Sequence, residues 1–129
     1  MDGSQQINNW TDMILNAAFA VHSRLGPGLL EHVYCKCLVY EIGKAGLRVR
    51  SELYIPLVYD KLLIEGAYRL DILVEETVIV EVKAVEKVHP IHHAQLLTYM
   101  RLAQKPVGLF FNFNEKRLIE GMKRMVNNL

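Results

Sequence analysis

The chain reads as an α/β protein with a mixed sheet flanked by helices on both faces. Three patterns predict this. Leu70, Ile72, Val74, Val78, Val80 and Val82 are aliphatic and even-numbered, which marks two strands joined by a tight turn. Two helical stripes precede that hairpin, and a third helix follows it. Val107 to Phe113 is then almost unbroken in apolarity, as a strand buried on both sides must be.

Residues 1–8 read as a loose polar start, with Asn8 or Asn9 capping a first helix that runs to about Leu25. Trp10, Met13, Ile14, Ala17, Val21 and Leu25 form its apolar stripe. Gly26-Pro27-Gly28 breaks it. A second helix is predicted from about Leu29 to Ala45, burying Leu30, Val33, Tyr34, Cys37 and Leu38, with Gly46 as its C-terminal cap. Strand one covers about Arg48 to Tyr59, and Pro56 suits an edge strand because it lacks a backbone donor. Asp60-Lys61 turns the chain into strand two. A third helix starts at His89-Pro90 and ends near Ala103. The strand after it must return by a right-handed crossover, parallel to strand three. Met122 to Val126 fits either a short edge strand or a helix.

Register in the central hairpin follows from burial. A one-residue slip would set valines against carboxylates, so the paired numbers must sum to an even value. A three-residue turn, Glu75-Glu76-Thr77, meets this condition and pairs Val74 with Val78. It also sets Asp71 opposite Glu81, where two carboxylates roughly 5 Å apart repel unless a cation lies nearby.

At 129 residues and 51% hydrophobic content, the chain suits a single domain, residues 1–129, with one sizeable core. No apolar run approaches the ~18 residues of a membrane span, and the polar N-terminus does not resemble a signal peptide, so a cytoplasmic protein with no membrane partner is expected. A net charge of +1 neither advertises nor excludes nucleic acid. Cys35 and Cys37, two apart on a helix, read as reduced thiols; a single-chain iron–sulfur cluster needs about four such ligands.

Asp71, Glu81 and Lys83 together permit metal-assisted hydrolysis of a phosphodiester. Hard oxygen donors suit Mg²⁺, which keeps several waters and uses one or two protein carboxylates. Asp71 and Glu81 would supply these, with the Val82 carbonyl as a third oxygen. Lys83 would stand beside the attacking water and the developing charge. Glu31 can reach the same place if the second helix packs on the polar face. Gln95 and Tyr99, four apart, share one helix face with His92. The plainer readings are a solvated ion pair for Glu81 and Lys83, and helix surface for Gln95, Tyr99 and His92-His93. Leu73 and Ile79 argue that the polar face is covered, and buried charges must be paired or metal-bound.

With these motifs in view, the sequence resembles the GxxExxY proteins. Gly28-Leu29-Leu30-Glu31-His32-Val33-Tyr34 matches the motif that names them. Tyr68-Arg69-Leu70-Asp71, Val80-Glu81-Val82-Lys83-Ala84-Val85-Glu86, His93-Ala94-Gln95-Leu96-Leu97-Thr98-Tyr99 and Phe111-Asn112-Phe113 look like the family's later blocks. That family is placed in the PD-(D/E)XK nuclease superfamily. The resemblance implies a restriction-endonuclease-like αβββαβ core with an extra N-terminal helix. It implies a triad of Asp71, Glu81 and Lys83, with Glu31 as the acidic residue from the helix. It also implies a Gln-x-x-x-Tyr motif at Gln95 and Tyr99, of the kind that positions DNA in RecB-like and Cas4-like exonucleases. The sequence has no proline before Asp71, a common and harmless departure; it also has no four-cysteine cluster and no separate recognition domain, which argues against sequence-specific cleavage. The reading is a Mg²⁺-dependent nuclease, with Mn²⁺ as substitute, acting on nucleic acid. The expected substrate is DNA in the form of ends, single strands or structured forms. Its rivals are a non-catalytic nucleic-acid-binding module and a small homodimeric interaction protein.

Overall fold

The computed structural model describes residues 3–127. Two helices come first, α1 (Gly3–Leu25) and α2 (Glu31–Lys44). Strands β1 (Val49–Tyr59), β2 (Leu62–Val74) and β3 (Val78–Lys83) follow, then α3 (Pro90–Leu102), β4 (Val107–Asn112), a 3₁₀ turn (Leu118–Gly121) and β5 (Met122–Val126). The five strands lie in chain order, β1-β2-β3-β4-β5, and only β3 and β4 run parallel. This is the expected αβββαβ core with an added N-terminal helix, and Met122–Val126 is an edge strand.

Helices cover both faces. Ile14, Ala18 and Val21 of α1 and Tyr34, Leu38 and Ile42 of α2 pack with Ile72, Val74, Val78, Val80 and Val82. Leu96 and Met100 of α3 pack on the opposite face with Leu73, Ile79 and Phe110. Strand β4 alternates between the two cores. Leu109 and Phe111 go to the first and Phe110 to the second, which is why its sequence shows no polar face. At Gly108 the helix comes so close that a Cβ would lie 2.6 Å from Met100 Sδ.

Three expectations need correction. The first turns of α1 are helical from Gly3, not loose. Ile7 packs on the core and Asn8 Oδ1 accepts a hydrogen bond from Arg124 Nη2 of β5 at 2.9 Å, so tertiary partners extend the helix past its expected cap. Leu25 and Leu30 stay exposed, because the chain is already turning at these positions. Leu70 leaves the even-numbered set and joins Tyr68, Leu73 and Ile79 in the core under α3. Alternation along β2 is therefore broken at Asp71. The other signals hold. Gly46 (φ +94°) follows α2 in a Schellman arrangement, with its N–H bonded to Gly43 O and that of Leu47 to Ile42 O. Pro56 sits on edge strand β1 where the pairing with β2 shifts register.

Candidate active site

The turn between β2 and β3 forms as the parity argument requires, with Val74 opposite Val78 and Ile72 opposite Val80. Glu75 and Glu76 both have φ near +51°, and Thr77 N–H closes the turn on Val74 O at 2.9 Å. Beyond Ile72 the ladder stops, so Asp71 and Glu81 are not a regular cross-strand pair as expected. Their side chains take the place of the missing rungs. Val82 N–H donates to Asp71 Oδ2 at 3.0 Å, and Asp71 N–H donates to Glu81 Oε1 at 3.3 Å. Each carboxylate is thus held by the backbone of the other strand.

Pairing also lapses on the other side of Asp71. Strand β1 matches Ser51 to Ile72 and Leu53 to Leu70, but Glu52 between them has φ +54°. A left-handed, non-glycine residue in a strand costs about 1–3 kcal/mol, and such strain gathers at functional sites. Here it lies level with Asp71. The break in alternation explains why Leu70 and Leu73 both face α3 while Asp71 lines a cavity under α2.

Asp71 and Glu81 are 8% and 4% exposed, which makes their proximity energetically decisive. Glu81 is held well above the usual carboxylate range, first by burial and then by the charge of Asp71. Two buried carboxyls in contact cannot both ionise without a compensating cation. Lys83 and Arg69 stand nearby. Lys83 Nζ lies 3.9 Å from Glu31 Oε1, and Arg69 Nη2 lies 3.1 Å from Asp71 Oδ1. Burial also raises Glu31, an effect that Lys83 opposes and Asp71 reinforces.

Among the described residues no three His, Cys, Asp or Glu side chains converge to hold a metal ion. The donor set instead suits an ion content with two carboxylates, a backbone oxygen and water, as Mg²⁺ is. Asp71 and Glu81 are oxygen donors of the kind such an ion takes, held together by the backbone of the two strands. A cavity of about 220 Å³ opens beside them, lined by Glu31, Lys36, Ser51, Arg69 and Asp71 among others.

The helices set the remaining groups. Tyr34 O–H donates to Gly26 O at 2.6 Å and accepts from Leu29 N–H at 3.0 Å, while its ring stacks on Phe113 at 4.8 Å. Gly28 (φ +106°) donates its N–H to Asn114 Oδ1. In the Gly28–Glu31–Tyr34 spacing, the glycine and tyrosine therefore close the turn, and Glu31 begins α2 next to Lys83. On α3, Tyr99 stacks on Tyr68 at 4.9 Å. Its hydroxyl is raised by burial and then by the charges of Glu81 and Asp71, so it stands in their field. Gln95 is exposed one turn earlier on α3, with no bond to the carboxylates.

His92 is not a zinc ligand candidate; its Nδ1 accepts from His89 N–H at 3.0 Å and caps α3. Cys35 and Cys37 are free thiols, and burial followed by the charge of Asp71 pushes Cys35 up to about 12, out of the reactive range. Sequence reasoning assigned no role to Arg69 or Asn112. The buried amide of Asn112 bonds Val85 N–H and Val85 O, each at 3.0 Å, and fixes the exit of β3 just after Lys83. A polar residue inside an apolar run was the available signal. Arg69 offered a weaker one, as a cation on the same odd-numbered set as Asp71.

A family model of the PD-(D/E)XK nuclease superfamily matches residues 8–125. No curated protein matches the chain, and no solved structure does.

Proposed function

Because the chain belongs to the PD-(D/E)XK nuclease superfamily, we propose that it hydrolyses phosphodiester bonds with a divalent cation held by Asp71, Glu81 and the Val82 carbonyl. Mg²⁺ is the cation of this reading, and Mn²⁺ its substitute. The observation that carries it is the buried carboxylate pair, each member gripped by the opposite strand's backbone. A bound cation would polarise the phosphate and lower the cost of forming hydroxide from water. The protein's own groups do the rest. Lys83 places a fixed positive charge beside the carboxylates, where charge grows on the phosphate. Glu31 orients Lys83 from the first turn of α2. Tyr99, and Gln95 one turn before it, lie on the α3 side and would position the strand.

DNA ends, single strands or structured DNA are the proposed substrates, and the Gly28–Glu31–Tyr34 spacing supports a proposed kinship with the GxxExxY proteins. Among the described residues no helix is long and apolar enough to cross a membrane, and a cytoplasmic location is part of the same reading. A homodimer is proposed as well, since Tyr54, Val58, Tyr59, Leu62 and Leu63 leave an apolar surface on the β1–β2 arm. Sedimentation of wild type against a Leu62→Ser/Leu63→Ser variant tests it; two monomeric species would refute the dimer.

The test of the nuclease is Lys83→Ala. Losing a positioned charge at the reacting centre costs about 3–4 kcal/mol of barrier, a 10²–10³ loss of rate. Losing a half-exposed ion pair costs about 0–1 kcal/mol of stability. Cleavage of DNA and RNA, single- and double-stranded, is measured with Mg²⁺, Mn²⁺ or chelator, alongside melting temperature. Abolished cleavage with unchanged melting is expected. Equal rates in mutant and wild type, or no cleavage by wild type, would favour a binding module instead.

A further inference from the structure

Arg69 occupies a place that the nuclease reading leaves unexplained. Among the described residues it forms the direct ion pair to the buried carboxylates, Nη2 to Asp71 Oδ1 at 3.1 Å. Asp71 Oδ2 already spends one lone pair on Val82 N–H. Oδ1 carries no backbone bond and is the less committed oxygen for a metal ion, and it is the oxygen that Arg69 holds. Two positive groups on one oxygen repel, so the guanidinium and the cation compete there.

The guanidinium can leave. Its side chain is 41% exposed, whereas its strand neighbours Tyr68 and Leu70 are buried at 9% and 0%. The backbone is pinned and the side chain is not. It also lines the cavity beside α2, with Lys36. Glu31 and Glu52 stand in the same wall, so a phosphate entering there needs added positive charge. A guanidinium stays charged at every working pH, and its planar fork matches two phosphate oxygens.

We propose that Arg69 is the resident counter-ion of Asp71, that a divalent cation displaces it from Oδ1, and that the freed guanidinium then binds a phosphate of the nucleic acid in the cavity beside α2. This rests on the nuclease reading. It adds that metal binding and strand binding are coupled through one side chain, so neither metal alone nor strand alone completes the site.

The experiment measures Mn²⁺ binding to the full chain by calorimetry, without nucleic acid, for wild type, Arg69→Gln, Arg69→Lys, Lys36→Gln and Asp71→Asn. Arg69→Gln should bind Mn²⁺ about fivefold tighter, the effect of losing one competing ion pair. Lys36→Gln removes the same charge from the same cavity without touching Asp71, and should stay near wild type. Binding of a labelled oligonucleotide in Ca²⁺ is then followed against salt. Arg69→Gln should bind more weakly, with the salt slope reduced by about one phosphate contact. In chelator the two proteins should bind the strand alike. Arg69→Lys, which keeps the charge and the fold, should lie between them in both measurements.

Equal or weaker Mn²⁺ binding by Arg69→Gln, equal tightening by Lys36→Gln, or an unchanged salt slope would overturn the proposal. If Asp71→Asn binds Mn²⁺ as wild type does, the metal is elsewhere and the nuclease reading fails with it. If Asp71→Asn loses Mn²⁺ while Arg69→Gln changes nothing, the nuclease reading stands and the displacement alone is wrong. No binding by wild type or Arg69→Gln would overturn both. Binding by Arg69→Gln alone would show that Arg69 blocks the ion and is not displaced by it, and would overturn the proposal.

Discussion

The two halves of β2 differ sharply although both are hydrogen-bonded to β1. Leu62 to Ala67 are all exposed, while Leu70 to Val74 are all buried. Leu63 and Ile72 are similar aliphatic side chains in one strand, yet one is 56% exposed and the other 0%. Backbone pairing alone does not decide this. The inner half has β3 beside it and helices on both faces; the outer half projects beyond them as a two-stranded arm. Asp71 stands at the border, one residue past the last β2–β3 rung. The site is thus built where the sheet stops being a sheet, and the core on one side keeps the strands rigid as they part.

The sharpest test of that contrast is a pair of truncations. Ile72→Ala should cost about 2–5 kcal/mol, the usual loss for a fully buried aliphatic side chain. Leu63→Ala, compared at a protein concentration where the chain is monomeric, should stay within about 0.5 kcal/mol, as surface changes do. Urea denaturation of both variants would break the comparison if the two costs were alike.

A smaller effect probes the border itself. Glu81 is raised in the folded state, so below the ordinary carboxylate range its contribution to stability is complete. It is lost as pH rises through the raised value. His92 and His93 are lowered, chiefly by burial, and act with the opposite sign below the ordinary histidine range. The clean window lies above that range and below the ordinary thiol range, where the raised Cys35 begins to act with the same sign as Glu81. In chelator, melting of the wild type should fall between about pH 7 and about pH 8, by at most about 1.4 kcal/mol per pH unit. Glu81→Gln should flatten the curve; a parallel curve in the variant would show that another group sets the slope.

The smallest expected change is at Tyr99→Phe. Its ring keeps the stack on Tyr68, so melting should not move. Loss of one hydroxyl contact is worth about 0.5–1.5 kcal/mol, roughly three- to tenfold in oligonucleotide affinity measured in Ca²⁺. Unchanged affinity would remove Tyr99 from the strand path.

Much of this was legible in the residues. Parity fixed the hairpin register, because a buried valine face tolerates no slip. The crossover rule placed β4 beside β3, and Pro56 marked the outer edge. Parity also brought Asp71 near Glu81, but as a regular cross-strand pair, whereas the ladder ends at Ile72 and each carboxylate accepts from the other strand's backbone. What stayed hidden came from contacts between distant segments. Asn8 meets Arg124 across the chain, and no local pattern says so. The strain at Glu52 and the side switch of Leu70 arise from how carboxylates replace rungs, which alternation cannot foresee. Arg69 shares the odd-numbered set with Asp71, but only the fold brings its guanidinium to 3.1 Å from Asp71 Oδ1.

Asn112 carries a consequence for the protein's chemical ageing. Its side-chain amide behaves as a spare peptide group, offering one acceptor and one donor to Val85 where β3 has ended. Hydrolysis of that amide to a carboxylate would add only about one mass unit, yet it would turn the donor into a second acceptor facing the Val85 carbonyl. Two acceptors would then face each other in a half-buried place, and the rung beside Lys83 would open. Stored protein would therefore loosen beside Lys83 through a change that gel and size measurements do not register.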